Sequence, residues 1–221
     1  RKLNTGDKFD KAFTPNQKIS IIWAMADTDV DQQKHDLANG EGFIQLGEAN
    51  AKSKSNSTLN ASEKQGIIFI REEEKVAKDL YLSLNGDENL PIFTDLAQSE
   101  QRHMDSAKLL IDKFGLEDPV QDQRGAFSNQ SLKNMYDDLL EKGSKSKQDA
   151  LEAGATFEET SIFDLERELA HTDNQEIQSV YQALLAGSQK HLRSYVNALK
   201  NLGISYSPTR LAKKDFEEIV K

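Results

Sequence analysis

Four long segments between residues 61 and 202 repeat apolar side chains every three or four positions, which is the spacing of one face of an α-helix. Each apolar stripe is interrupted near its middle by a side chain of the kind that binds metal ions. The interrupting residues are Glu74 in the first segment, Glu100 and His103 in the second, Glu158 in the third and His191 in the fourth. This coincidence predicts four helices packed around one shared polar centre.

Capping and stop signals set the limits of the predicted helices. Asn60 with Glu63 opens the first long helix, and Ser146 with Asp149 opens the third. Glycines at 115, 143 and 203 are predicted stops. The predicted ranges are 61–84, 91–114, 130–142, 147–170, 174–202 and 211–220.

The connections predict how the helices are arranged. Short loops join the first long helix to the second and the third to the fourth, so each pair is predicted to form a hairpin. A stretch of about thirty residues separates the second long helix from the third, long enough to run the length of a bundle. One long crossover of this kind predicts an all-α, ferritin-like four-helix bundle over residues 61–221, including a C-terminal tail.

Residues 1–60 are predicted to be an N-terminal extension. A short helix over about 14–26 carries Trp23 on its apolar side, and residues 50–60 are rich in Ser, Lys and Asn, which is typical of a flexible linker. An isolated helix of about twelve residues is marginal in water, so Trp23 is expected to be covered by the bundle or by another subunit.

Three carboxylates directed into one core require compensating positive charge, because a buried unpaired carboxylate costs several kcal/mol. Two histidines do not suffice, because protonated imidazoles at close range repel each other. The chain has no cysteine, which excludes thiolate metal sites and disulfides. One or two divalent ions would neutralise the acids, and carboxylate with imidazole ligands suits iron, manganese or zinc.

Taken singly, these residues also have structural interpretations. Glu74 belongs to the acidic run 72–74, and such a run usually forms a solvated face. His191 alone would more often be a hydrogen-bonded interior histidine. His171 is different, since it is expected at the C-terminal end of the third long helix, where a cation interacts favourably with the helix dipole. The alignment of all four stripes is what favours a shared metal site.

Three motifs carry a resemblance to a known family: Arg71–Lys75, Ser99–Asp105 and Gly187–Arg193. From about residue 60 to its end the chain resembles an uncharacterised ferritin-like domain family, found mainly in archaea and bacteria and without an assigned function. The wider relatives of that family are rubrerythrin and the ferritin-type di-iron carboxylate proteins. Residues 1–60 carry no such resemblance.

The resemblance implies a set of metal ligands. The relatives use a Glu on the first helix, Glu-x-x-His on the second, a Glu on the third and Glu-x-x-His on the fourth. The matching residues here are Glu74, then Glu100 with His103, then Glu158 or Glu159, and finally His191. Ser188 stands where the full pattern has Glu, so the alternatives of one metal, two metals with an extra water, or a metal other than iron stay open. Asp164 and Glu159 are substitutes, although both lie beside the inward stripe.

Three functions are compatible with these features. Metal binding or scavenging is favoured, with iron as the expected ion and manganese or zinc as alternatives. An iron-dependent oxidoreductase that reacts with dioxygen or peroxide is the second. A secreted structural or self-assembling protein, which uses residues 1–60 for docking, is the third. Fold analogy alone does not decide between them.

The composition of the chain disfavours some classes of binding partner. A net charge of -9 disfavours nucleic acid, because an acidic surface repels phosphates. The longest apolar run, Ile21–Ala26, is far shorter than the ~18 residues of a membrane span. Assembly of the chain into a homo-oligomer is compatible with the sequence. The first residue is Arg1 rather than Met, which favours a secreted or extracytoplasmic protein over a cytoplasmic one.

Overall fold

The computed structural model describes residues 59–86 and 90–221, and within these ranges it contains six α-helices and no strand. The helices are α1 (Ala61–Leu84), α2 (Pro91–Phe114), α3 (Gln130–Gly143), α4 (Lys147–Ala170), α5 (Gln175–Asn201) and α6 (Lys213–Ile219). The predicted all-α class is confirmed. The predicted helix at Trp23 and the boundary near residue 60 involve residues outside the described ranges and stay predictions. None of the described helices is long and apolar enough to cross a membrane.

Capping side chains explain where the helices begin. Asn60 Oδ1 accepts a hydrogen bond from Glu63 N at 2.9 Å, and Glu63 Oε2 accepts one from Asn60 N at 2.9 Å, so α1 opens with the predicted capping box. The caps of α3, α4 and α5 are Asn129, Ser146 and Asn174. Each side chain satisfies backbone N–H groups that have no partner inside the helix.

The C-terminal ends of α3 and α5 differ from the predicted ones. Helix α3 continues through Gly143, and a Cβ atom there would lie 2.6 Å from Leu84 Cδ2. The glycine therefore allows close packing rather than ending the helix. The helix predicted over 174–202 ends at Asn201 in the structure, Leu199 is its last buried side chain, and Leu202 is 44% exposed.

The helices pack mainly in two pairs. Helix α1 lies along α2, and α4 lies along α5, as the short connections predict. Helix α1 also contacts α4, and α2 contacts α5, while α3 packs on α4 and α1. Two apolar clusters form the core, one including Tyr81, Phe93 and Tyr195 and the other including Ile70 and Leu184. On α1, α2 and α5 the ligand-type residues lie between these two clusters.

The charged run Arg71–Lys75 is buried, with each residue at most 5% exposed. Arg71 donates hydrogen bonds to both carboxylate oxygens of Asp118, at 3.1 and 2.9 Å, and to Met104 O at 2.9 Å. Glu72 accepts hydrogen bonds from the backbone N–H groups of residues 128 and 129. The run therefore faces protein on all sides, and the interpretation of 72–74 as a solvated face is wrong.

The crossover between α2 and α3 supplies most of these partners. Lys75 Nζ pairs with Asp79 and donates to the carbonyl oxygens of residues 123 and 126, at 3.1 and 3.2 Å. Asp79 Oδ2 accepts a hydrogen bond from Gly125 N at 2.9 Å, in a turn where Gly125 has a φ of 74°. We call Arg71, Glu72, Lys75 and Asp79, together with the crossover groups they bind, the crossover clamp.

Candidate metal centre

Five side chains from α1, α2, α4 and α5 meet at the middle of these helices, and we call them the central cluster: Glu74, Glu100, His103, Glu158 and His191. Glu100 lies at its centre, with Oε1 2.7 Å from His191 Nδ1 and Oε2 2.8 Å from His103 Nδ1. Glu74 Oε2 lies 3.3 Å from His103 Nδ1, and Glu158 Oε1 lies 3.2 Å from His191 Nδ1. The structure thus brings together all five residues that the four stripes single out.

The central cluster is shielded from water. Glu100 and Glu158 are each 1% exposed, and His191 is 4% exposed. The His103 side chain, 13% exposed, is the most accessible of the five. Charges held this deeply are stable only when each has a compensating partner.

Several of the short contacts in the cluster are not hydrogen bonds. Among the described residues, His103 Nδ1 and one oxygen each of Glu74 and Glu100 are buried without a hydrogen-bond partner, despite the nearby opposite charges. Metal bonds of about 2.0–2.2 Å at right angles place neighbouring ligand atoms about 3 Å apart, with their lone pairs directed at the ion rather than at each other. Glu100, His103 and His191 each offer a ligand atom within 4.8 Å of the others. The three residues are thus spaced closely enough to share a metal ion.

The orientation of His191 is fixed from its far side. Its Nε2 lies 2.9 Å from Ser99 Oγ, while Nδ1 faces Glu100 and Glu158. In the neutral form of His191, when Nε2–H donates to Ser99, Nδ1 is unprotonated and its lone pair points into the cluster, which is how a protein prepares a histidine ligand. Ser99 was not recognised from the sequence as part of the site, although it directly precedes Glu100 in the second motif.

The two histidines lie side by side. Their ring centroids are 5.1 Å apart and their planes differ by 18°. A Cβ atom at Gly187 would lie 2.4 Å from His103 Nε2, so only glycine at this position leaves room for the ring. Gly187 was also missed, because a helical glycine four residues before His191 gives no signal without a view of α2.

The cluster attracts positive charge. Burial raises the pKa of Glu74 to about 7, although the His103 imidazole opposes this shift. Burial would also raise the pKa of Glu100, but the His191 and His103 imidazoles lower it well below its usual range. Burial lowers the pKa of His191, but Glu100 and then Glu158 raise it overall to about 9. Protons on the imidazoles therefore compete with any other cation for the same carboxylates.

Glu159, the alternative to Glu158, is held elsewhere. Its carboxylate accepts hydrogen bonds from the backbone N–H groups of Thr209, Arg210 and Leu211, at 2.8–3.1 Å, and from the Tyr206 hydroxyl. These bonds attach the C-terminal tail to α4. Adjacent residues on a helix point about 100° apart, which is why only one of the two glutamates reaches the central cluster.

Ser188 and Asp164 also have partners outside the cluster. Ser188 Oγ lies 3.2 Å from Ser161 Oγ, and both side chains are buried. Asp164 pairs with Arg167. His171 follows α4 as predicted, with Nδ1 2.7 Å from Arg167 O at the exposed end of that helix.

The fold and site define an all-helical protein with a buried cluster of carboxylates and imidazoles. The chain belongs to the uncharacterised protein domain family DUF2202, which matches residues 63–221. It is 45% identical to the uncharacterised protein MJ0754 of Methanocaldococcus jannaschii over 163 residues, which cover 73% of this chain and 88% of that protein. It is also similar to the crystal structure of the hypothetical protein MJ0754 from Methanococcus jannaschii, with a TM-score of 0.74 and 44% identity over 76% of this chain and 97% of that one.

Proposed function

We propose that this protein binds two metal ions in a ferritin-like four-helix bundle formed by α1, α2, α4 and α5. The two helix pairs and the long connection through α3 support the bundle, because a single long crossover is the ferritin-like topology. The central cluster supplies the ligands. Iron is the favoured ion because of the resemblance to ferritin-type proteins, and the same donors suit manganese or zinc.

The observation that carries the proposal is the position of Glu100 between the two histidines. One oxygen faces His103 and the other faces His191, at 2.8 and 2.7 Å. The lone pair of an imidazole lies in the plane of its ring, and two stacked, nearly parallel rings therefore direct their lone pairs within separate planes rather than at one point. Each histidine would therefore hold its own ion, and Glu100 has one carboxylate oxygen near each of them.

The two remaining carboxylates are also divided between the two proposed ions. Glu74 belongs with His103, and Glu158 belongs with His191. The hydroxyl of Ser188 is a weak neutral ligand, so a second bridging carboxylate is missing and water would occupy that side. The protein's part in this arrangement is to hold the ligands in place and to exclude bulk water.

Two buried tyrosines favour a second candidate function, an iron-dependent oxidoreductase. The Tyr81 hydroxyl donates a hydrogen bond to Glu158, and burial raises its pKa well above the usual range, so it stays protonated. The Tyr195 ring lies 5.5 Å from that of Tyr81, and its buried hydroxyl has no hydrogen-bond partner in the part of the chain that the structure describes. Reduction of hydrogen peroxide to two water molecules takes up two electrons, which oxidation of two ferrous ions to ferric ions would supply, and two protons, which water would supply. Peroxide should oxidise iron bound to the wild type faster than iron bound to Tyr81→Phe.

Metal analysis of the purified protein, followed by an anaerobic titration with ferrous iron, tests the main proposal. The wild type should bind two ions per chain, and His103→Ala should bind no more than one. His171→Ala is the matched control, because that imidazole lies at the end of α4, and it should still bind two. Equal metal contents of the two folded variants would contradict the proposed centre, and saturation of the wild type at one ion would reduce it to a single-metal site.

A further inference from the structure

The two histidines of the central cluster are held differently on the side that faces away from the carboxylates. His191 Nε2 lies 2.9 Å from Ser99 Oγ, so both nitrogens of its ring have protein partners. His103 Nε2 has no hydrogen-bond partner among the described residues, and it lies against the backbone of Gly187, where a Cβ atom would come within 2.4 Å of it. Because a hydrogen bond to the outer nitrogen orients a metal-binding imidazole, His103 is the less firmly held of the two.

His103 is also closer to solvent. Its side chain is 13% exposed, compared with 5% for that of His191, and Gly187 is half-buried. The Nδ1 atom of His103 is fully buried and faces Glu100 at 2.8 Å and Glu74 at 3.3 Å. The exposed part of the ring is therefore its outer edge, away from Nδ1.

This outer edge lies where α2 meets α5. The contact between these two helices is much smaller than the contact within either hairpin, while α3 packs on both α1 and α4. The α5 residues near Gly187 are small, and Ala183 and Ala186 are both exposed. Rotation of a partly exposed side chain is fast when no hydrogen bond has to break. Rotation of the His103 ring would connect the cluster with solvent beside Gly187.

We infer, on the basis of the proposed two-metal centre, that its two positions are not equivalent. The ion at Glu74 and His103 exchanges with solvent between α2 and α5, beside Gly187. The ion at Glu158 and His191 is retained. The protein would then take up and release one ion per chain while the second stays bound.

The ligands themselves do not account for such a difference. Each position has one imidazole, one carboxylate of its own and one oxygen of Glu100. What differs is the support of the imidazole, and loss of a hydrogen bond that orients a metal-binding histidine weakens metal affinity about 10- to 100-fold. We expect the release rates of the two ions to differ by a similar factor.

Chelator-driven release of ferrous iron tests this difference. The protein is loaded anaerobically with two ferrous ions per chain, an excess of a coloured ferrous chelator is added, and release is followed by absorbance. One ion per chain should leave about 10- to 100-fold faster than the other. His103→Ala should retain only the slow ion, and His191→Ala only the fast one. Equal release rates of the two wild-type ions, or a fast remaining ion in His103→Ala, would overturn the inference.

Two further substitutions change the support of the rings without removing a ligand. Ser99→Ala frees His191 Nε2, so the slow ion should leave as fast as the other one, and an unchanged slow phase would overturn the inference. Gly187→Ala places a methyl group against the His103 ring, so the fast phase should disappear while the slow ion stays. Ala186→Ser, at the exposed neighbouring position, is the matched control and should show both phases. If Gly187→Ala does not fold, Ser99→Ala decides.

A measurement on the metal-free protein separates failure of this inference from failure of the proposed function. In proton NMR spectra the Nε2–H of His191 should exchange slowly with water, because it donates to Ser99, and that of His103 should exchange much faster. Binding of two ions together with equal exchange at both rings would overturn the inference alone. A wild type that binds no iron would overturn the proposed metal centre and, with it, both ion positions.

Discussion

The crossover clamp and the central cluster both bury charged side chains against α1, yet they treat those charges differently. In the clamp, Arg71 makes three hydrogen bonds of 2.9–3.1 Å, and Lys75 reaches two backbone carbonyls and a carboxylate. In the cluster, Glu74 and Glu100 lie close to imidazoles while each keeps an oxygen without a hydrogen bond. Residues of both regions are neighbours on α1 and are equally buried. The difference between the regions is therefore not a difference in burial.

The contrast shows what each region is built for. A buried charge whose hydrogen-bonding capacity is filled by the protein holds two parts of the chain together, here the crossover and α1. A buried charge left with free lone pairs needs a ligand from outside. Burial alone therefore does not distinguish a structural charge from a functional one, whereas the completeness of the hydrogen bonding does.

The largest expected effect is on stability, at the clamp. Arg71→Ala leaves Asp118 and Met104 O without their buried partner, so it should lower the free energy of unfolding by about 3 kcal/mol, measured by urea denaturation of metal-free protein. Lys133→Ala, in an exposed pair with Asp137, is the control and should cost less than about 0.5 kcal/mol. Folded Arg71→Ala should keep its full metal content. If folded Arg71→Ala binds less metal than the wild type, the clamp and the central cluster are not functionally distinct.

The converse change is Ser99→Ala, at the edge of the central cluster. Loss of the hydrogen bond to His191 Nε2 should weaken metal binding about 10- to 100-fold, because the imidazole is no longer oriented, while stability falls by only about 1 kcal/mol. Competition with a chelator of known affinity measures the change. Ser194→Ala removes an exposed hydroxyl that donates to Lys190 O within its own helix, and it should leave the affinity as it is. Equal affinities in the two variants would mean that Ser99 does not orient a metal ligand.

The pH dependence of stability should also separate the regions. The pKa of His191 is raised from its ordinary value of about 6.5 to about 9, so its contribution to the stability of the metal-free protein is complete below pH ~6.5 and is lost as the pH rises through 9. Metal binding should strengthen over the same interval, because each ion displaces an imidazole proton. In the clamp, burial is outweighed by the hydrogen bond from Arg71, which lowers the pKa of Asp118, so that contribution is lost only in acid.

Thermal unfolding of the chelator-treated protein between pH 6 and pH 9.5 measures this dependence. His191→Ala should flatten the decline in stability, and Arg71→Ala should shift the whole curve down without changing its slope over this interval. A wild-type curve that is flat across the interval would show that the His191 imidazole is not held in its charged form by Glu100 and Glu158.

The smallest expected effect is that of removing residues 1–55. Every proposed ligand lies after residue 70, and the first helix of the family domain carries its own cap at Asn60. The truncated chain should keep its helicity and its metal content, measured by circular dichroism and metal analysis. Loss of both would place the extension in the core of the domain. Loss of self-association alone would favour the hypothesis that residues 1–60 dock onto another subunit.

The features that were predicted correctly depend on interactions between residues close together in the sequence. The limits of α1, α2 and α4 follow from Asn60, Ser146 and the glycine after α2, because a cap acts on backbone groups within one turn. The five residues of the central cluster were found because a helix repeats its face every three to four residues. Gly143 was misread as a stop because the same residue also serves close packing, and only the neighbouring helix distinguishes the two uses.

The sequence by itself determined the all-helical class, the helix limits and the set of side chains aligned on the inward faces, since all of these depend on residues a few positions apart. Only the tertiary structure decided which charges are satisfied. The acidic run 72–74 looks like a solvated surface until the crossover is in place, and the alternative of Glu159 to Glu158 stays open until the C-terminal tail binds Glu159. The partners cited here for Glu72, Glu158 and Glu159 lie 57, 33 and 50 positions away along the chain, where periodicity gives no information.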